Sequence, residues 1–338
     1  MSNQRILVVL PTWLGDCVMC TPALDRLRQL QPGAKLVGVC PPGPAQLFQQ
    51  DPRWDALVQD RTKRQGQRWR TIPQLARQLR AEHGPFDLAF TFKHSFSSRW
   101  LLFGTRTPRR VGATSGWTDV LLTDAVPCAA GQHYAQQYHQ IVNGFFAANH
   151  EAGPLRLHVA APARFVRPTV GLAPGSAYGP ARRWDPARFG QLAVALSRDF
   201  DVLLLGGPQE QPQADAIEAA LRLAKVANYR NLIGQSISEM VNTMAGLALY
   251  IGHDSGATHI ATALRIPTVV LYGSTSPSLA YPWQHPASRI IRHPLPCAPC
   301  NRRTCPLHHH ACMTQIRVEH VLDAAYSLAN SSPFAAAG

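Results

Sequence analysis

Apolar residues fall along this chain in short unbroken runs, separated by amphipathic stretches. A sheet buried on both faces by helices produces that alternation. Arg5–Leu10 (RILVVL) reads as a buried strand, PTWLGD as the loop after it, and the residues through about Leu30 as one amphipathic helix with Leu24, Leu27 and Leu30 on its apolar side. Lys35–Cys40 reads as the next strand and Asp87–Phe92 as a later strand of the same sheet. Residues 152–168 are rich in Pro and Ala without a period and read as an interdomain linker.

A second strand–loop–helix series follows. Thr169–Ala173 predicts a strand, and Asp185 with Pro186 predicts a capped helix start. Residues 202–205 (VLLL) predict another strand, and Ser236 to Glu239 has capping-box spacing. Leu249–Gly252 predicts a strand, then a tight turn, a helix over 257–264 and a strand over Thr268–Tyr272. The expectation is an α/β protein of two Rossmann-like domains, 1–160 and 161–338, facing across a cleft, with a last helix near 317–329 packing back on the first domain.

The length of 338 residues and the 46% hydrophobic content agree with two globular domains. No run approaches the roughly 18 apolar residues of a membrane span, and no signal-peptide core is present, so a cytoplasmic protein is expected. The net charge is +13, and only four of the 33 basic residues are Lys. Residues 51–110 hold 13 basic and 5 acidic side chains. Either the surface is merely solvated and Arg-rich, or the partner is acidic: a nucleic acid, an anionic lipid or a phosphorylated substrate. Arg scattered without an aromatic platform argues against nucleic acid.

Ligands of open α/β sheets sit outside the carboxyl ends of strands. That rule selects four loops. Pro11–Asp16 delivers a carboxylate, Asp16, which is either a general base for an acceptor hydroxyl or a helix cap. Pro174–Trp184 carries small residues with Ser176, Arg182 and Arg183, suited to an anion. His253–His259 turns directly into a helix, so that Asp254 meets sugar hydroxyls and the amides of Ser255, Gly256 and Ala257 meet a diphosphate; His259 is a core or a contacting residue. Gly273–Ser276 opens toward the same end. Asp199-Phe200-Asp201 precedes a strand and reads as structural, and Cys17 and Cys20 read as core. Cys297, Cys300, Cys305 and Cys312, with His308 to His310 among them, form either a structural metal site or packed thiols.

Three long motifs, PTWLGDCVMCTPAL at 11–24, GLAPGSAYGPARRW at 171–184 and HDSGATHIATALRIPTVVLYGSTSP at 253–277, together with CAPCNRRTCPLHHHACM at 297–313, cover the chain in order. In these it resembles the ADP-heptose:lipopolysaccharide heptosyltransferases, most closely their heptosyltransferase II branch. The resemblance implies a GT-B fold with an N-terminal acceptor domain and a C-terminal donor domain. It implies inverting, metal-independent transfer of L-glycero-D-manno-heptose from ADP-heptose, without a cofactor. The acceptor would be the heptosyl-Kdo-lipid A inner core, an anionic partner met at the inner leaflet of the inner membrane by a peripherally bound enzyme.

Matched residue by residue, Asp16 falls on the family's base and Asp254 on its donor-sugar carboxylate. Gly256 and Ala257 fall on diphosphate-binding amides, Ser176 on a hydroxyl contact, and Glu210 on a ribose-binding Glu. Arg182 stands where the family has Lys, and His253 where Asn is common. Lys93, Arg106, Arg109 and Arg110, beside the apolar Trp100–Phe103, are the expected contacts to the anionic acceptor. The alternatives are heptosyltransferase I or III, or another ADP-sugar enzyme. A nicotinamide dehydrogenase would need a G-x-G-x-x-G after the first strand, which PTWLGD lacks.

Overall fold

The computed structural model describes residues 4–63 and 67–331. The chain divides into two compact units, Met1–His158 and Val159–Gly338, where the sequence reading put the division at 160.

In the first unit the strands are β1 (Arg5–Val9), β2 (Lys35–Cys40), β3 (Ala56–Gln59), β4 (Leu88–Thr91), β5 (Arg109–Ala113) and β6 (Asp124–Val126). Its helices are α1 (Leu14–Met19), α2 (Thr21–Leu30), α3 (Pro42–Ala45), α4 (Arg68–His83), α5 (Phe96–Gly104) and α6 (Tyr134–Phe145). The sheet order is β3-β2-β1-β4-β5-β6, parallel throughout. Leu7, Val9, Val37, Val39 and Ala89 are buried against Ile72, Leu75 and Leu79 of α4. A fully buried aliphatic side chain of this kind contributes about 1.5–3 kcal/mol, so this face largely fixes the register.

The single helix expected before Leu30 is two. Pro22 has no N–H to give the Val18 carbonyl, and the Thr21 hydroxyl takes that carbonyl instead at 2.7 Å. The chain therefore breaks at Cys20, between α1 and α2.

The second unit repeats the plan. Its strands are β7 (Thr169–Ala173), β8 (Asp201–Leu204), β9 (Tyr229–Asn231), β10 (Leu249–His253), β11 (Thr268–Tyr272) and β12 (Ser288–Arg292). Its helices are α7 (Pro186–Leu196), α8 (Gln211–Leu223), α9 (Ile237–Met244), α10 (Gly256–Ala263), α11 (Pro277–Ala280), α12 (Ala311–Thr314) and α13 (Val318–Asn330). The order β12-β11-β10-β7-β8-β9 is again parallel throughout. The predicted caps form: Asp185 accepts from Ala187 N at 2.9 Å, and Ser236 and Glu239 make a reciprocal capping box.

The last helix, α13, packs within its own unit. Val321, Ala325 and Leu328 of α13 are buried in the core of the second unit, against α7 and the β10–β12 side of the sheet. Asp199 accepts from Tyr326 at 2.8 Å and Asp201 begins β8, so this Asp pair is structural. Among the described residues no helix is long and apolar enough to cross a membrane.

In each sheet the strand order reverses at the middle, between β1 and β4 and between β7 and β10. Connections leave in opposite directions at such a point and open a crevice at the carboxyl ends.

Candidate active site

In the second unit the crevice rule points to the turns after β7 and β10. After β7 the chain passes Gly175, over which the Glu210 side chain lies so closely that a β-carbon would collide with its Cγ and Cδ. Glu210 itself accepts the Gly207 N–H, which holds its carboxylate at the end of β8. After β10, His253 bolts the two turns together. Its Nε2 accepts the Trp184 N–H at 2.8 Å, so Nδ1 carries the proton and donates to the Gly175 carbonyl at 3.1 Å. Burial pushes the His253 pKa down to about 4, and the ring is a neutral scaffold of fixed tautomer.

Asp254 follows, 4% exposed. Its Oδ2 lies 3.0 Å from Arg182 Nη1 and accepts the Thr275 hydroxyl at 2.7 Å, leaving Oδ1 outside these bonds. Burial raises the carboxyl's pKa; Arg182 and Thr275 oppose it. α10 then starts at Gly256 with no side-chain cap from Ser255, so its first-turn amides have no helical acceptor.

Around this carboxylate several buried polar atoms lack a protein partner: Ser176 Oγ, Ser274 Oγ, the Nε atoms of Arg182 and Arg183, and His259 Nδ1. Each such atom costs about 1–3 kcal/mol if left unsatisfied. Five of them at the carboxyl ends of β7, β10 and β11 describe a site built for an oxygen-rich ligand. Burial and the charge of Arg182 hold His259 neutral, with a pKa of about 4. Ser274 and Thr275 of the loop after β11, and His259 of α10, thus lie with Asp254, as two of the open sequence readings allowed.

The Cys-rich segment supports this site from outside. Arg303 O accepts from Ala181 N at 3.0 Å, Asn301 O accepts from the Tyr178 hydroxyl at 2.7 Å, and Asn301 N donates to Ser274 O at 2.7 Å. His310 Nε2 donates to Ala181 O at 3.0 Å. Arg182 lies 3.8 Å from the centre of the Tyr178 ring, with Arg303 at 5.5 Å from the same ring. Gly179, at φ +154°, leaves room for the Arg303 carbonyl, which would be 2.5 Å from a β-carbon. Cys297, Cys300, Cys305 and Cys312 are free thiols, and among the described residues no three His, Cys, Asp or Glu side chains converge as a metal requires. The segment is a strap on the 174–184 loop.

In the first unit the crevice lies after β1 and β4. Asp16 is half-buried as the third residue of α1, whose N-cap is Trp13. Lys93 follows β4, and burial lowers its pKa against the pull of Asp60, Cys17 and Cys40. Asp16 and Lys93 both bear on the Cys17 thiol, so they share this end of the sheet. Burial first, then Asp16, holds the Tyr138 phenol of α6 well above its ordinary pKa. Cys17 and Cys20 are fully buried and raised by burial, which makes them core and not redox thiols.

The other basic residues are not brought to Asp16. Arg109 and Arg110 open β5, and Arg109 pairs in register with Leu88, the first residue of β4, so both lie at the amino end of the sheet. Arg109 is 2.6 Å from Asp124 and covers the Phe145 ring; Arg110 donates to Leu121 O and Thr107 O. Arg106 is exposed just past α5 in a left-handed conformation. Arg109 and Arg110 thus make local contacts at this end of the sheet, and Arg106 stands exposed.

What sequence reading missed is aromatic. Arg99, fully buried, binds Asp119, the Thr118 hydroxyl and Ala113 O, while Asp119 also accepts from Ser115 and Gly116 N. This pinned turn presents Trp117 and Val120, 75% and 79% exposed, and stacks Trp117 on Phe96 at 5.6 Å. The partners stand about twenty positions apart, which no local period reveals.

The model of glycosyltransferase family 9 (heptosyltransferase) matches residues 72–311. A lipooligosaccharide heptosyltransferase 2 of Campylobacter jejuni is 29% identical over 336 residues, 97% of this chain and 99% of its own. The lipopolysaccharide heptosyltransferase 2 of Escherichia coli K12 is 27% identical over 311 residues, 86% of this chain and 88% of its own. Among solved structures, that of E. coli ADP-heptose LPS heptosyltransferase II superposes with a TM-score of 0.82 at 24% identity, over 97% of this chain and 99% of the other. The E. coli heptosyltransferase WaaC with ADP gives 0.76 at 18% identity, over 95% and 98%. Two sheets of identical parallel order, each with its chemistry at the reversal point, and a family match over most of the length lead to one conclusion: the chain belongs to glycosyltransferase family 9, the heptosyltransferases, and has the GT-B fold.

Proposed function

We propose that this enzyme transfers L-glycero-D-manno-heptose from ADP-heptose to the heptosyl-Kdo-lipid A inner core, with inversion at the anomeric carbon. The observation that carries the donor half is the buried set around Asp254: one carboxylate, one arginine and five unpartnered polar atoms. Asp254 Oδ1 accepts from heptose hydroxyls. Arg182, Ser176 and the amides of Ser255, Gly256 and Ala257 take the charge that grows on the leaving diphosphate. Glu210 binds the ribose hydroxyls. In the first unit Asp16 removes the acceptor proton as the hydroxyl attacks opposite ADP, and Lys93 binds an acceptor anion. No step requires a metal.

The exposed pair Phe96 and Trp117, with Val120, supports peripheral attachment to the cytoplasmic face of the inner membrane. Aromatic side chains favour the headgroup level, and a net charge of +13 favours an anionic leaflet. Heptosyltransferase 2 names among the relatives favour an acceptor that already carries one heptose.

A donor panel tests the reading. With ADP-heptose, ADP-glucose and UDP-glucose offered separately, mass detection should find acceptor glycosylation from ADP-heptose alone. Transfer from UDP-glucose at a comparable rate would contradict it.

A further inference from the structure

A cavity lies in the first unit that Asp16 does not line. α2, α6 and residues 150–156 enclose a cavity of about 370 Å³. Arg26 lines it from α2. Arg26 is only 9% exposed; among the described residues its Nε has no partner, and its Nη1 donates to Gln29 Oε1 at a long 3.3 Å. No carboxylate among the described residues pairs with it. A buried guanidinium without a counter-ion is costly, and natural cores avoid it unless a ligand supplies the charge.

The other charges at the cavity do not fill that role. Asp25 is held by Arg53 at 3.0 Å, and Arg28 by Asp55 at 2.7 Å. Arg156 and Glu151 are exposed and line the cavity, and among the described residues they enter no ion pair. His139, 4% exposed, lines the same cavity, and burial together with Arg26 and His150 keeps its ring neutral, with a pKa of about 4. A planar fork of donors opposite an imidazole is the chemistry that receives a phosphate group.

We infer that the cavity between α2, α6 and residues 150–156 binds a phosphate group, with Arg26 as its central cation and His139 and Arg156 as further donors. Free phosphate and a phosphorylated glycolipid present the same group. The donor site in the second unit also takes phosphate, so the readout must be local.

The full-length protein with 15N-labelled histidine is titrated with inorganic phosphate, against chloride at matched ionic strength. A parallel titration uses deacylated acceptor oligosaccharide with its phosphates present or removed. Phosphate should shift the His139 resonances saturably, at millimolar concentration or below, while chloride should not. Tighter saturation by the phosphorylated oligosaccharide than by phosphate alone assigns the site to the acceptor; equal or weaker saturation assigns it to the free anion. Arg26→Gln should weaken the response at least tenfold with no loss of thermal stability, since a buried unpaired charge has gone. Arg156→Gln, at an exposed position, should weaken it severalfold and serves if the first variant does not fold. No saturable shift with either ligand, or the same affinity in both variants, overturns the proposal.

Discussion

Arg182 grips Asp254 twice: its Nη1 lies 3.0 Å from the carboxylate Oδ2 and 2.9 Å from the main-chain carbonyl of the same residue. The cation proposed to meet the diphosphate is therefore parked on the carboxylate proposed to meet the sugar. Arg182 opposes the burial that raises the Asp254 pKa, and donor oxygens would share both.

From this pairing, Arg182→Ala should lower kcat/KM for ADP-heptose by about 10²–10³, the usual cost of removing one charge-stabilising donor. Arg182→Lys keeps the charge and one donor but not the fork, so its loss should stay below about tenfold. Steady-state kinetics on both variants decide it. Equal losses would mean that geometry and not charge is what the site uses.

Gly175 and Glu210 give a test that separates fold from binding. Gly175→Ala drives a methyl group into the Glu210 side chain and should lower both thermal stability and ADP affinity. Adding Glu210→Ala removes the collision. The double variant should regain stability in a thermal melt, while calorimetry should still find weak ADP binding because the proposed ribose contact is gone. Recovery of both would remove Glu210 from the donor site.

The pH dependence follows from His253, with a pKa of about 4 in the fold and about 6.5 in the unfolded chain. As pH falls below about 6.5 the unfolded chain takes a proton that the native ring refuses. Stability is therefore full above that pH and is lost as pH falls toward 4, by at most about 1.4 kcal/mol per pH unit for each such histidine. His259 and His139 act in the same direction. Urea midpoints between pH 7.5 and 5 should fall, and fall less steeply in His253→Asn, which keeps one donor and one acceptor. An unchanged slope would place the proton uptake elsewhere.

The membrane reading predicts that Phe96→Ser with Trp117→Ser abolishes sedimentation with anionic vesicles and leaves the melting temperature unchanged, because both rings face solvent. Arg109→Gln with Arg110→Gln should do the reverse, since these arginines hold Asp124, Leu121 and Thr107 in place. Vesicle binding retained by the aromatic pair variant would rule that surface out.

Much of this was legible in the chain because strand, turn and helix starts are local. Asp185, Ser236 and the buried runs at β1, β7, β10 and β11 speak for themselves. The loops at the two reversal points followed from the rule that strands present ligands at their carboxyl ends. The break at Cys20 was readable in principle, since Thr21-Pro22 both removes a donor and supplies a replacement. What could not be read was long-range pairing. Arg109 and Arg110 looked like a free basic cluster because Asp124 and Leu121 are distant in sequence. The spacing in the Cys-rich segment left a metal site and packed thiols both open, and it does not reveal that the segment's backbone straps Tyr178 and Ala181. The final helix carried an apolar face but no sign of which sheet would take it.

The central claim is transfer to an acceptor that already bears a heptose, with Asp16 as the base. The most direct measurement is mass-detected turnover with ADP-heptose on two acceptors, heptosyl-Kdo-lipid A and Kdo-lipid A, by wild type and Asp16→Asn. The account predicts one added heptose on the first acceptor only, and a fall of about 10²–10⁴ in Asp16→Asn at unchanged thermal stability. Efficient transfer to Kdo-lipid A, or activity of Asp16→Asn within a few-fold of wild type, would contradict it.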